Sequence, residues 1–147
     1  MMTQVPEIAL VDDASALHQI VLTGLRGFNR TLFAGHPPGR DLSIAIRNPD
    51  SDEPVGGLCG RMNGGWLDIE LIFVPEAFRG RGLATRLIAM AEEEARAQGC
   101  HSAWIDTLNP KALTLYQKLG YELFGELKDY PVGGSRFFLQ KKLGSAA

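Results

Sequence analysis

The sequence predicts an α/β protein with a mixed, mostly antiparallel sheet of about seven strands flanked by helices. The first observation is the order of the predicted elements, in which a strand and a helix precede three meandering strands and strands then alternate with helices. The second observation is the length of 147 residues with 45% hydrophobic content, which suits one compact domain. We therefore predict a single domain that spans residues 1–147.

The amino-terminal half is predicted to contain four strands and one helix. Asp12 or Asp13 can cap the helix, whose apolar residues Leu17, Ile20, Val21 and Leu25 recur at helical spacing. Asn63-Gly64-Gly65 favours a tight hairpin turn between the third strand and the fourth. The predicted strands are Val5–Val11, Leu42–Arg47, Pro54–Met62 and Trp66–Val74.

The carboxyl-terminal half alternates helices with strands. A long helix is predicted from about Gly82 to Gln98, and Gly99 can supply the left-handed residue that ends it. Proline in the first turn and Gly120 at the end bound a shorter helix. The remaining predictions are the short helix Pro110–Leu119, strands at His101–Thr107, Tyr121–Leu127 and Ser135–Leu143, and a frayed tail at about Gly144–Ala147.

Charge and cysteine usage argue against several functional classes. A net charge of −2 disfavours nucleic acid or an anionic membrane as the main partner, and no apolar run approaches the ~20 residues of a membrane helix. Cys59 and Cys100 show no metal-ligand or CxxC spacing, so we expect buried free thiols in a reducing cytoplasm. The three histidines, His18, His36 and His101, are scattered, and we therefore expect no metal site.

A glycine-rich basic loop, Arg79–Thr85, precedes the long helix. Glycines let a ligand approach the backbone, and the unpaired first N–H groups of a helix attract anions. The loop therefore suits a pyrophosphate, although a solvated basic loop would look the same. It lacks the lysine of a GxxxxGK[ST] nucleotide loop and the spacing of a dinucleotide fingerprint.

Two motifs give this loop a context. Leu71–Ala84 closely resembles the acetyl-CoA motif of the GNAT family of N-acetyltransferases, whose pattern Gln/Arg-x-x-Gly-x-Gly/Ala is met by Arg79, Gly82 and Ala84. A second family pattern, Asn-x-x-Ala-x-x-x-Tyr, is met by Asn109, Ala112 and Tyr116. The resemblance covers roughly residues 42–143 and implies the acyl-CoA N-acyltransferase fold.

The resemblance implies an acetyl-CoA-dependent N-acetyltransferase. It also implies that the cofactor is held by the strand before the loop, by the loop and by the short helix. These cofactor-binding residues are Ile72, Phe73, Val74, Arg79, Gly80, Arg81, Gly82, Leu83, Ala84, Thr85, Asn109 and Tyr116. The first three would act through backbone groups, and Asn109 could cap its helix or bind the pantetheine amide.

Three side chains are candidates for proton transfer. Asp68 and Glu70 lie two apart on the fourth predicted strand, so they should share a face, and either could accept the amine proton directly or through water. The alternative is that both are solvated surface groups. Tyr116 would donate a proton to the leaving thiolate, because its phenol is a weak acid, with a core aromatic as the alternative.

The acceptor is the least determined part of the prediction. The loop Phe28–Arg40 and the hairpin Lys128–Arg136 are the expected walls of its site, where Asp129 and Tyr130 could hold a cationic amine or form an exposed turn. We expect a small-molecule amine. The alternatives are a protein amino terminus or lysine, and a non-catalytic acyl-CoA-binding module. Family members often dimerise, so a homodimer is an option, although nothing in the sequence defines an interface.

Overall fold

The computed structural model describes residues 4–144, which fall into two compact units that divide between Gly35 and His36. The predicted tail therefore lies outside the described residues except for Gly144. The first unit contains helix α1 (Ser15–Phe28) and a 3₁₀ turn at Asn29–Phe33. Ala14 occupies the N-cap position of α1, and the Asp13 carboxylate accepts a hydrogen bond from the Ser15 amide at 3.1 Å.

The predicted first strand at Val5–Val11 is wrong, because these residues form no strand. A short apolar run becomes a strand only when a neighbouring strand satisfies its backbone N–H and C=O groups, and the run itself does not reveal whether that neighbour exists.

The second unit is built on a six-stranded sheet in the order β1-β2-β3-β4-β6-β5. Among these strands only β3 and β4 pair in parallel. The predicted mixed, mostly antiparallel sheet is confirmed, with six strands instead of about seven because Val5–Val11 is not one of them. The strands are β1 (Arg40–Arg47), β2 (Pro54–Asn63), β3 (Trp66–Phe73), β4 (Ser102–Thr107), β5 (Glu122–Lys128) and β6 (Ser135–Lys142).

Two helices connect these strands, α2 (Leu83–Ala97) and α3 (Pro110–Lys118). Helix α2 is the crossover that a parallel β3–β4 pair requires. Both helices are followed by a glycine with positive φ, Gly99 at 90° and Gly120 at 97°, as predicted from the sequence. Helix α2 contributes Leu87, Ile88, Ala91 and Ala95 to the core.

The two faces of the sheet differ in chemistry. Leu67 and Ile69 of β3 are buried in the core, together with Ile105 and Leu139 on the neighbouring strands. Asp68 lies between the two β3 core residues and therefore points to the opposite face. One cysteine prediction is also corrected: Cys100 is buried, whereas Cys59 on β2 is exposed.

Candidate active site

Strands β3 and β4 pair over only four residues, Trp66–Ile69 with Ser102–Ile105. Strand β3 continues to Phe73, so its carboxyl-terminal half has no strand partner on the β4 side among residues 4–144. Unpaired backbone groups of a strand can bind an extended ligand as a further strand would. Of the predicted backbone-binding residues, Ile72 and Phe73 lie in this unpaired half and Val74 follows it directly.

A β-bulge interrupts the β2–β3 pairing within the same region. Cys59 is opposite Leu71 and Gly60 is opposite Ile69, which leaves Glu70 without a partner on β2. A bulge redirects the side chains near it. The expectation that Asp68 and Glu70 share a face assumed an unbroken strand, and the bulge falls on the second of these residues.

The bulge requires a glycine on the facing strand. A Cβ atom on Gly60 would lie 2.5 Å from the backbone oxygen of Asp68, and a backbone atom cannot move aside as a side chain can. We expect Gly60→Ala to reduce the free energy of unfolding by about 1–3 kcal/mol, as overpacking typically does, because the Asp68 backbone must shift. Urea unfolding measures this loss of stability.

Gly125→Ala is the matched control for that substitution. Gly125 also stands at an irregularity in a strand, but its Cβ would meet the nearest atom, Phe138 Cβ, at an ordinary 3.8 Å. Equal unfolding midpoints for the Gly60 and Gly125 variants would contradict the steric explanation.

Asp68 is the centre of an acidic cluster, which also contains Glu70 and Asp106. Burial raises its pKa to about 6, and the negative charges of Glu70 and Asp106 add to the shift. A carboxylate with this pKa is ionised near neutral pH and is a better proton acceptor than an ordinary aspartate. No local pattern in the sequence marks Asp106, on β4, as part of this cluster, because only the parallel pairing with β3 brings it near Asp68.

Asp106 is held by an arginine from β6. Arg136 Nη2 donates to Asp106 Oδ2 at 2.9 Å, and Nη1 donates to the Tyr130 hydroxyl at 3.2 Å. The guanidinium also lies over the rings of Tyr130 and Phe138, at 5.2 and 5.5 Å from their centroids. The β5–β6 hairpin is thus connected to the acidic cluster through one cation.

Tyr116 lies on α3 and is buried, with 8% of its surface exposed. Burial raises the pKa of its phenol, and the negative charge of Asp106 raises it further, so the hydroxyl keeps its proton. Asn109 caps the same helix, because its Oδ1 accepts a hydrogen bond from the Lys111 amide at 2.9 Å. That bond uses the amide oxygen of Asn109 and not its two N–H donors.

The loop before α2 contains two glycines with positive φ and leads into a helix that has no side-chain cap. Gly80 and Gly82 have φ of 77° and 73°, and open space surrounds the position of a Cβ on each, so their backbone conformation is what favours glycine. Gly82 is the N-cap, and no side chain caps the helix. The first amides of α2, at Leu83, Ala84 and Thr85, therefore have no partner within the helix.

The two arginines of this loop also donate hydrogen bonds to nearby backbone oxygens. Arg79 Nε donates to the Val74 carbonyl oxygen at 3.0 Å, and Arg81 Nη2 reaches the Ala77 oxygen at 3.5 Å with its guanidinium 5.6 Å from the Phe78 ring centroid. Each guanidinium has further N–H donors beyond the one used here. The loop thus carries two positive charges next to the open end of α2.

Other predicted positions have local partners. Asp129 Oδ1 accepts from the Gly133 amide at 3.4 Å, so this carboxylate closes the hairpin turn. His101 packs against Trp66 and lies 2.8 Å from the Ser102 hydroxyl, at the start of β4. Within residues 4–144, no group of three or more His, Cys, Asp or Glu side chains is arranged to hold a metal ion. None of the helices described has the length and apolar character that crossing a bilayer requires.

Comparison with known proteins identifies similar chains. Residues 22–121 match the model of the acetyltransferase (GNAT) family. The chain is 46% identical over 132 residues to acetyltransferase Atu2258 of Agrobacterium fabrum, which covers 90% of this chain and 94% of that protein. Blasticidin-S acetyltransferase of Streptomyces morookaense is 40% identical over 92 residues, covering 62% and 68%. A crystal structure from Agrobacterium tumefaciens has a TM-score of 0.83 at 42% identity, covering 96% and 99%.

Proposed function

The chain belongs to the GNAT family of acetyltransferases, and we propose that it transfers an acetyl group from acetyl-CoA to an amine of a small-molecule acceptor. The family assignment and the acyl-CoA N-acyltransferase fold agree with the resemblance predicted from the sequence. We include in the proposal that residues 1–147 act as one acetyltransferase domain in the cytoplasm. The observation that carries the proposal is the unpaired half of β3 next to both the open end of α2 and the acidic cluster.

The donor side of the proposal rests on the loop before α2 and on β3. Acetyl-CoA supplies an activated thioester, a pyrophosphate and an extended pantetheine arm. The uncapped amides of Leu83–Thr85 and the charges of Arg79 and Arg81 suit the pyrophosphate. From Glu70 to Phe73, the backbone groups of β3 on the β4 side are not paired with a strand. They suit hydrogen bonds to the amide groups of the pantetheine arm and leave an N–H that can stabilise the oxyanion.

The acceptor side rests on Asp68 and Tyr116. The acceptor nitrogen forms a bond to the acetyl carbonyl carbon while the carbon–sulfur bond breaks. The nitrogen becomes acidic as that bond forms, so a carboxylate of pKa about 6, aided by Glu70 or water, can accept its proton. Tyr116, which retains its proton, donates to the leaving sulfur.

The raised pKa of Asp68 predicts that kcat/KM depends on pH. Its carboxylate is ionised above pH 6 and protonated below, so we expect kcat/KM of the natural protein to rise through about pH 6. Asp68→Asn should lower kcat/KM at neutral pH by about tenfold to 100-fold, because Glu70 or water can still accept the proton. Glu70→Gln, which removes a charge that raises the Asp68 pKa, should shift the acid limb to lower pH.

A stability measurement separates this role from a structural one. Because the pKa of Asp68 is raised in the folded state, the folded protein binds more protons than the unfolded chain between about pH 4 and 6, and stability falls as pH rises through that window. Asp68→Asn should therefore unfold at a higher temperature than the natural protein above pH 6. A destabilisation of equal size at pH 5 and pH 8 would contradict the ionised, partly buried carboxylate.

The proposed function is tested by release of free thiol from acetyl-CoA with a panel of primary amines, including amino sugars, amino acids and diamines. Transfer to at least one small amine supports the proposal. Transfer only to peptide amino termini or to protein lysines would favour the protein-acetylating alternative. Calorimetric binding of acetyl-CoA without turnover on any acceptor would favour a non-catalytic binding module, and preferential binding of ATP would overturn the donor assignment.

A further inference from the structure

Arg136 is the side chain that links the β5–β6 hairpin to the candidate active site. Its two terminal nitrogens bond different elements, Asp106 on β4 and Tyr130 in the hairpin turn. The Arg136–Asp106 pair is partly sheltered, with side-chain exposures of 32% and 24%. Such an ion pair is screened less by salt than a fully exposed one.

The register of the sheet explains why these two residues meet. Asp106 pairs with Phe138 across the antiparallel β4–β6 ladder, and Arg136 lies two residues from Phe138 on the same face. The Nε atom of Arg136 is buried and has no hydrogen-bond partner among the residues that the structure describes. The guanidinium is therefore oriented by its terminal bonds to Asp106 and Tyr130 and by the two aromatic rings, not by a bond at Nε.

Asp106 in turn acts on both proton-transfer groups. Its negative charge raises the pKa of Asp68 and the pKa of Tyr116. A positive guanidinium bonded to Asp106 offsets part of that charge, because it lies within 3 Å of the carboxylate. The position and the charge of Arg136 therefore determine how strongly Asp106 affects the other two residues.

We propose that Arg136 is a positioning residue for acyl transfer: it acts through Asp106, holding that carboxylate at the end of β4 and offsetting its charge beside Asp68 and Tyr116. The inference rests on the proposed function, since it assigns Arg136 to the same site. Through the bond to Tyr130, a movement of the hairpin turn would change the orientation of the guanidinium and hence the field at the acidic cluster.

Other charged groups near Asp68 are accounted for on each neighbouring strand. On β2, Arg61 is the register partner of Asp68, but its Nη1 pairs with Asp41 at 2.8 Å. Glu70 contributes from β3 itself. Among these groups, Arg136 is the cation bonded to Asp106. Its removal should therefore affect Asp68 through the Asp106 carboxylate.

The test compares Arg136→Gln, Arg136→Lys and Asp106→Asn with the natural protein in the pH profile of kcat/KM. Arg136→Gln should shift the acid limb to higher pH by about 0.5–1 pH unit, because Asp106 is left uncompensated. Asp106→Asn should shift it to lower pH. Arg136→Lys keeps a cation at the position and should restore most of the midpoint. Lys142→Gln is the matched control, because it removes an exposed cation from the same strand at the other end of β4, where Lys142 pairs with Ser102.

A double-variant cycle tests whether Arg136 acts through Asp106. The shift caused by Arg136→Gln should largely disappear in the Asp106→Asn background. An undiminished shift in that background would overturn the proposal, as would an Arg136→Gln profile equal to that of the Lys142→Gln control. The proposal would also be overturned if Arg136→Lys shifted the acid limb as much as Arg136→Gln does.

A second measurement keeps this inference distinct from the proposed function. The carboxyl carbon of Asp68 can be titrated by NMR in the full chain without any substrate. Arg136→Gln should raise the midpoint of that titration relative to Lys142→Gln. If no amine is acetylated, the proposed function fails while this titration still tests the link between Arg136 and Asp68, and an unchanged midpoint overturns the link.

Discussion

Tyr116→Phe is expected to lower kcat by about 100-fold to 1,000-fold while acetyl-CoA affinity stays within about twofold, as loss of a general acid would do. In the proposed mechanism, the phenol of Tyr116 donates a proton to the leaving sulfur. Its pKa is raised by burial and by the charge of Asp106, so it remains protonated across the neutral range. Phenylalanine fills the same buried space and removes only the hydroxyl. Steady-state kinetics and calorimetric titration with acetyl-CoA measure the two quantities.

Tyr121→Phe is the matched control. Tyr121 lies beside Tyr116, with ring centroids 6.4 Å apart, but its hydroxyl donates to Glu92 Oε2 at 2.8 Å in the core. Loss of that bond should lower stability by about 1–2 kcal/mol and leave kcat nearly unchanged. Equal losses of kcat in the two variants would assign the effect to packing, and an unchanged kcat in Tyr116→Phe would remove this residue from the mechanism.

Most of the fold was readable from local patterns. The hairpin at Asn63-Gly64-Gly65 forms as predicted, with φ of 58° and 84° at its two glycines, because this turn type needs positive φ at adjacent positions. The apolar face of α2 and its terminating glycine also follow from spacing along the chain. The strand prediction at Val5–Val11 is wrong, because the pairing of a strand depends on a partner elsewhere in the chain.

The candidate site was only partly readable, because it depends on how distant strands pair. Residues of the loop before α2 are close in sequence, so a motif could reveal them. Asp106 and Arg136 are thirty positions apart and meet because β6 lies between β4 and β5, an order that the sequence does not indicate. The bulge at Glu70 likewise arises from a β2–β3 register shift and leaves no pattern of its own.

Replacement of Glu92 is expected to have the largest effect on stability. It is a buried carboxylate on α2, with 7% side-chain exposure, and Lys141 Nζ of β6 contacts both of its oxygens at 2.9 and 3.1 Å. Lys141 also donates to the Leu119 carbonyl oxygen at 2.8 Å, which links α2 and β6 to the residue that ends α3. Glu92→Leu leaves a largely buried ammonium and the Tyr121 hydroxyl without this acceptor. We expect it to reduce the free energy of unfolding by about 2–4 kcal/mol, given that Lys141 retains some contact with solvent.

Urea unfolding of Glu92→Leu against Glu93→Gln tests this expectation, because Glu93 is the exposed neighbour on the same helix. Adding Lys141→Met to Glu92→Leu should recover more than half of the lost stability, since the unpaired charge, not the missing attraction, is the main penalty. Recovery would mean that the ion pair contributes little net stability and that its main effect is to set how α2, α3 and β6 pack. Tyr116 lies one turn before Leu119, the C-cap residue of α3, so we expect Glu92→Leu to lower kcat as well. The double variant should regain stability without regaining full kcat. Full recovery of both would show that apolar packing alone places Tyr116.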